Sequence, residues 1–438
     1  MIPELSRDFQ DALATMPEEH PQRLAVSLVG GALDLSAHVL VREPRQLAAQ
    51  LHGRLLGREE PRIRAVLTQA AGLAPRPYLL PRTQSLTPPG GPLIRTLEGH
   101  TATVTAVAMM RDGARAVSAS GDGTLKVWDL AMGACQRTLE GHAGKVKAVA
   151  VTPDGARAVS ASDDETLKVW NLATGECLRT LQGHKWEVTA VALAPDGAQV
   201  LSASRDKTLK VWDLASGACL RTVKVKSRSV TAAALAPDRA RAVSTSNDKT
   251  LKVWDVATGG CLRTLEGHTH EGRTHWVNAV AVTPDGTQAV SASWDETLRV
   301  WDLATGACLR ALEGHTDFVA VLALAPDGAR AVSGSWDYTV KVWDLATGAC
   351  LRTVEVHSSA VTAVAVTPDG GRAVSACNDK TLKVWDLATG AVLATLVGDG
   401  RMVACAVSRD GGTIFAGDDL GRVHFLRLLL PEDQEIRP

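Results

Sequence analysis

Tyrosine and phenylalanine are nearly missing, with two Tyr and four Phe in 438 residues against eleven Trp. Net charge is nearly missing too, since 47 Lys plus Arg stand against 48 Asp plus Glu. No overall field therefore draws the molecule to nucleic acid or acidic lipid. No uninterrupted apolar run is long enough to span a bilayer, so no membrane helix is expected. The opening Met-Ile-Pro-Glu-Leu-Ser lacks a basic stretch leading into an apolar core, so export by a signal peptide is not expected. There is no Gly-x-x-x-x-Gly-Lys-Ser/Thr phosphate loop, which argues against nucleotide hydrolysis. Nor is there a Cys-x-x-Cys or a local His/Cys cluster, so neither metal nor cofactor is expected. Few Tyr and Phe beside abundant Ala, Arg and Gly suggest a GC-rich bacterial genome.

Six of the eight cysteines fall at one repeated position: Cys135, Cys177, Cys219, Cys261, Cys308 and Cys350. Equivalent positions in adjacent repeats lie about a repeat width apart, beyond the roughly 7 Å between Cα atoms that a disulfide allows. They are expected to be small, buried apolar residues of a reduced, cytoplasmic protein.

What the chain has in abundance is repetition. The motif Leu/Val-(Lys/Arg)-Val-Trp-(Asp/Asn) recurs seven times, with Trp at 128, 170, 212, 254, 301, 343 and 385. Five of the six gaps are 42 residues, and the one from Trp254 to Trp301 is 47. A fixed period of this size means one supersecondary unit made repeatedly. Within residues 93–134, Leu93–Leu97 reads as a short strand and Val104–Met109 as an apolar second one. Asp112-Gly113 is a hairpin turn, Ala114–Ser118 a third strand, Gly121-Asp122-Gly123 a turn and Leu125–Trp128 a fourth strand.

Four short strands, preceded by Gly-His and ending near Trp-Asp, resemble the WD-repeat β-propeller family. The resemblance covers about three-quarters of the chain and implies an all-β fold. In that family the first strand of each written repeat completes the preceding blade. Eight outer strands and eight three-strand groups can then be counted, which implies an eight-bladed propeller closed by pairing Leu93–Leu97 with the last group. The eighth group lacks the His and the Trp, so a seven-bladed ring is the alternative. The expected organisation is a short helical segment over 1–73, a Pro-rich linker over 74–92, the propeller over 93–430 and a tail over 431–438.

The resemblance also implies a buried hydrogen-bond network in each repeat. It maps onto His100/Ser118/Asp122/Trp128, His142/Ser160/Asp164/Trp170 and His184/Ser202/Asp206/Trp212. It maps likewise onto His268/Ser291/Asp295/Trp301, His315/Ser333/Asp337/Trp343 and His357/Ser375/Asp379/Trp385. Ser, His and Asp together invite a catalytic reading, but a reaction centre is needed once and this set occurs six times. Repeat four departs, with Lys226 for His and Val225 for Gly, while keeping Ser244, Asp248 and Trp254. Repeat seven has Val356 for Gly and repeat two has Asn171 after its Trp. Blades four and eight are expected to be the least rigid.

Shared residues build the scaffold, so function is sought where copies disagree. Repeat five carries Trp276, Asn278 and Trp294, and a five-residue insertion that lengthens its loop to His268–His275. Repeat six carries Phe318, Trp336 and Tyr338, and repeat one has Thr103, Thr105 and Gly121 where repeat five has Trp276, Asn278 and Trp294. This sector is the expected partner-binding surface, the bland reading being that the rings pack on one another. Lys145, Lys147, Arg205, Lys224, Lys226 and Arg228 form a basic sector diluted by Asp163 and Glu187, and Trp186 stands between the two surfaces. That sector reads first as a solvated face and second as a site for an acidic partner.

Before the repeats, Leu5, Phe9, Leu13 and Met16, then Leu24, Leu28 and Leu35, then Leu47, Leu51 and Leu55 follow helical spacing. Three or four short helices are expected, too few for an independent core, with Pro44 and Pro61 at helix starts. This region, the linker and the ending Gly421–Leu426 look like the helical arm and sensing propeller of certain bacterial signalling NTPases. The expected function is a non-catalytic scaffold or sensor that binds a protein or peptide. A channel-sited enzyme, and nucleic-acid binding by the basic sector, are the alternatives.

Overall fold

The Arg-Ala-Val-Ser-Ala-Ser stretch of the first two repeats is buried at five of its six positions, and its counterparts repeat the pattern. Small and β-branched side chains suit such a site, because this strand has sheet neighbours on both edges and another sheet against each face. The computed structural model describes residues 2–40, 47, 51, 54–55, 60–73, 93–130, 134–225, 230–268, 276–355 and 357–427. The expected linker, the tail, the inserted loop 269–275, and Pro44, Lys226, Arg228 and Val356 lie outside them.

Among the described residues, thirty-two strands form eight four-stranded sheets, an eight-bladed β-propeller. Blade one is Val104–Met109, Arg115–Ser120, Leu125–Asp129 and Ala134–Leu139 in spatial order. Blade seven is Val361–Val366, Arg372–Cys377, Thr381–Asp386 and Val392–Val397. Blade eight runs Met402–Val407, Thr413–Asp418, Val423–Arg427 and then Leu93–Leu97 from the start of the repeats. It is as complete as the others, so the seven-bladed alternative falls. Pairing is antiparallel, and a register shift recurs where the Trp meets the outer strand, as at Trp128 opposite Cys135.

The chain divides into two compact units, residues 99–423 and residues 1–98 with 424–438. In the larger unit, the first strand of every blade lies beside those of the blades before and after it, and Val104–Met109 lies beside Met402–Val407. The ring is therefore closed. Its core lies between blades: Trp343 of blade six is buried among Val290, Leu298 and Val300 of blade five, and Trp170 of blade two among Val117 and Val127 of blade one. Hydroxyls stitch the inner circle, where Thr105, Thr189, Thr231 and Thr362 donate to the carbonyls of Val146, Val230, Val277 and Met402, each in the next blade.

The smaller unit contains α1 (Ile2–Thr15), α2 (Arg23–Leu40) and α3 (Pro61–Leu73). Pro61 opens α3, and the Glu60 carboxylate accepts the Ile63 N–H at 2.9 Å, satisfying a donor that a helix start leaves open. The helices were expected to lack a core, but Leu28, Leu33, Leu40, Leu55, Ile63 and Leu67 share one. Helical periodicity shows which face is apolar and not what meets it, hence the error. Leu24, expected in that stripe, is exposed. No helix among the described residues is long and apolar enough to cross a membrane.

A second correction concerns the cysteines. Cys135, Cys177, Cys219, Cys261, Cys308 and Cys350 are exposed rather than buried. Each sits on an outer strand, with no further strand beyond it among the described residues, and the buried residue there is the one that ends the Cys-x-Arg-Thr/Ala-Leu/Val run.

Candidate partner-binding face

Each network begins with a donor that has few choices. In blade one the Trp128 indole N–H donates to Ser118 Oγ at 2.7 Å, and His100 Nε2 lies 2.7 Å from the same oxygen. His100 Nδ1 lies 3.0 Å from Asp122 Oδ2. An ionised carboxylate only accepts, so Nδ1 carries the proton and Nε2 accepts from the serine. The chain of donors runs Trp to Ser to His to Asp. His142, His184, His268 and His315 meet Asp164, Asp206, Asp295 and Asp337 at 2.7, 2.9, 2.8 and 2.6 Å. Their serines, Ser160, Ser202, Ser291 and Ser333, each accept an indole N–H at 2.8 Å, from Trp170, Trp212, Trp301 and Trp343. Every one of these serines is fully buried and already engaged, so none can attack a substrate.

Blade four keeps Trp254 on Ser244 at 2.9 Å. Blade seven departs from the expected set: His357 reaches Ser375 at 2.7 Å, but its distance to Asp379 is 3.3 Å, and the buried Trp385 indole N–H has no acceptor among the described residues. Here Cys377 replaces a serine that caps the turn in blades one to six, and its larger sulfur stands 3.3 Å from the Asp379 N–H. This substitution also brings His357, Cys377 and Asp379 within 4.8 Å of one another, a cluster that spacing alone does not reveal. Burial pushes the Cys377 thiol up to about 12, and it donates to the Ser359 carbonyl. The trio is a loosened copy of the network, with His357 3.3 Å from Asp379 where blades one, two, three, five and six have 2.6 to 3.0 Å.

Above the networks, in every blade where both are described, two positions are tied across the loop by a backbone hydrogen bond. Asp163 donates to Lys145, Arg205 to Glu187, Trp294 to Trp276, Trp336 to Phe318 and Asp419 to Arg401, at 2.9 to 3.0 Å. The tie makes the two side chains a pair, and what fills it differs around the ring. In blades three and eight it is an ion pair, Arg205 with Glu187 at 3.5 Å and Arg401 with Asp419 at 3.9 Å. In blades five and six it is aromatic. Trp276 stacks on Trp294 with centroids 4.6 Å apart, and Trp294 stacks on Phe318 at 4.7 Å across the blade boundary. Phe318 meets Trp336 at 5.6 Å.

Four of the six residues singled out from the sequence are thus one stack. Trp294 and Phe318 are half-buried within it, whereas Trp276 and Trp336 remain 36% and 46% exposed. Asn278 is half-buried, and Tyr338 stands 49% exposed with no ring contact among the described residues. Tyr338 has φ of 69°, in the left-handed region that costs an L-residue about 1–2 kcal/mol. Glycine is free of that penalty but adds chain entropy, so Tyr338→Gly is expected to raise unfolding stability by about 0.5–1 kcal/mol. Denaturant titration reads this; lower stability in the variant would mean the ring is anchored in the fold.

The basic sector is less free than its sequence suggests. Lys147 pairs with Asp163 at 3.3 Å and Arg205 with Glu187, while Lys145, Lys224 and Trp186 are exposed. The channel-facing strands, such as Val188–Leu193, are half-buried Val, Ala, Thr and Leu.

A family model described as WD domain, G-beta repeat matches residues 91–129, 133–171, 175–213, 217–255, 259–302, 306–344 and 348–386. Among solved structures, the chain is similar to the crystal structure of a computationally designed protein, Ika8, in its packing No. 1 in P63. Identity is 35%, the match covers 77% of this chain and 100% of that one, and the TM-score is 0.69. No curated protein matches.

Proposed function

The chain belongs to the WD domain, G-beta repeat family, and from that premise we propose that it is a non-catalytic scaffold whose aromatic stack on blades five and six receives a protein or peptide. The observation behind this is the stack itself. Four large rings occupy two adjacent loop pairs that elsewhere hold charged, polar or small residues, and two of them stay exposed. Clustered Trp side chains of this kind supply large apolar area with little rotamer entropy to lose. Against catalysis stand the buried, engaged serines and the Val/Ala channel.

The binding module comprises residues 93–430, with 74–92 as its linker and 431–438 as its tail. It works in the cytoplasm as the sensor arm of a bacterial signalling assembly, in keeping with the helices before it.

Affinity capture with wild type beside a Trp276→Ala, Trp294→Ala, Trp336→Ala variant tests the proposal. Hot-spot aromatics are each worth about 2 kcal/mol or more, so recovery of the true partner is expected to fall at least about thirtyfold. The unfolding midpoint should stay within a few degrees. An unchanged set of partners refutes the aromatic face. Binding that the variant retains and that collapses steeply with salt would favour the basic sector instead.

A further inference from the structure

Seven of the eight outer strands carry an arginine at their centre, as in Cys177-Leu-Arg-Thr-Leu181 and Cys219-Leu-Arg-Thr-Val-Lys224. In blades one to six that arginine lies along its own strand. Its guanidinium donates to the carbonyl of the preceding residue at 2.6 to 2.7 Å, Arg179 to Leu178 and Arg352 to Leu351 among them. The position three residues beyond each arginine holds Glu, Lys or Gln, for example Lys224 and Glu355. Charge on an outer strand, and a side chain occupying its open carbonyl, are the usual means by which a sheet edge refuses another strand.

Blade seven has lost both. Its outer strand reads Val392-Leu-Ala-Thr-Leu-Val397, with Ala394 in place of arginine and Val397 in place of the charged or amide residue. Among the described residues, the Leu393 carbonyl consequently has no guanidinium on it, and Val397, at 64%, is the most exposed large apolar residue. The strand ends its sheet, with Thr381–Asp386 on one side and, among the described residues, no strand on the other.

We propose that this strand pairs antiparallel with the same strand of a second copy of the chain, giving a twofold dimer independent of the aromatic face. Self-pairing is the arrangement that its composition favours. About a twofold axis, Val392 faces Val397, Leu393 faces Leu396 and Ala394 faces Thr395, so no charge meets its like. The same geometry in Cys177–Leu181 would set Arg179 directly against its own copy, which is repulsive. A twofold contact needs only one self-complementary patch, and this is the outer strand that offers one. Six paired residues bury less than a standard interface, so the dimer is weak, with Kd in the range of about ten to a hundred micromolar.

Sedimentation velocity in reducing buffer, which silences the exposed cysteines, tests this on the full chain from about one to several hundred micromolar. Wild type is expected to dimerise over that range. Ala394→Arg installs the residue of the other blades, so it keeps the fold and should weaken the dimer at least tenfold. Hydrogen exchange should show residues 392–397 gaining protection as concentration rises. A monomer at every concentration, a dimer indifferent to Ala394→Arg, or protection confined to another segment would each overturn the proposal. So would strand 392–397 being fully protected at the lowest concentration, since its edge would then be covered from within one chain.

Discussion

Gly417→Ala is expected to destabilise the ring by about 2–3 kcal/mol, a large cost for one methyl group. Gly417 lies on the second strand of blade eight, at the seam with blade one. A Cβ placed there would stand 2.3 Å from Val104 Cγ1 and 2.7 Å from Val104 Cβ. Val104 is fully buried and β-branched, so it has no rotamer to retreat into. Alanine fills the equivalent site in blades one, two, three, five and seven, as at Ala119 and Ala376, whereas Gly334 of blade six is likewise crowded, by Val361 at 2.5 Å, so the demand comes from these two seams and not from the strand itself. Gly398 provides the contrast. Its added Cβ would meet Met402 Cε at 2.4 Å, the far end of an adaptable side chain, and Gly398→Ala should cost less than about 0.5 kcal/mol. Urea titration of both variants reads the difference; equal midpoints would show that Val104 has room to move.

Acid is expected to unfold the propeller in two stages. His100, His142, His184, His268 and His357 lie below the ordinary imidazole range, chiefly through burial, with their aspartates opposing. In the unfolded chain they take up protons near pH 6.5, and the folded chain resists doing so. Stability is therefore complete above about pH 7 and declines as pH falls through 6.5. For Asp122, Asp164, Asp206 and Asp295 burial raises the pKa, but hydrogen bonds from backbone, threonine or histidine outweigh it and leave each below 3.8. They contribute stability above that value and lose it as pH falls further, giving the second decline. Calorimetry from pH 8 to pH 3 should show a flat unfolding temperature and then two falls. Proton uptake on unfolding at pH 6, measured in two buffers of different ionisation enthalpy, should be positive. A rise in unfolding temperature between pH 7 and pH 5.5 contradicts the network as described.

Much of the ring was legible because repetition averages away local ambiguity. One reading of His100, Ser118, Asp122 and Trp128 is weak, but six copies in phase are not. The eighth blade was countable without its His or Trp because Leu93–Leu97 needed a sheet to join. What failed to show were properties of a residue's surroundings. Cys177 looks like a core residue until its strand proves to be the last of four. The loop-pair positions could have been found by aligning Trp276/Trp294 with Glu187/Arg205, but the backbone bond that makes them partners is not written in either residue. Ala394 and Val397 were visible as departures too, and their meaning depended on knowing that Arg179 lies along an open edge.

Thr96 Oγ1 lies 3.3 Å from His424 Nδ1, the same cross-strand relation that Thr138 has with Lys126 across a continuous hairpin in blade one. Leu93 and Arg427 accordingly occupy the two sides of a missing bend. Linking them through a handful of residues, and cutting the polypeptide at the corresponding bend of any other wedge, would leave all eight sheets with the neighbours they have now. The circle has a starting point only by accident of where translation enters it, and a circular permutant would be the same machine read from another page.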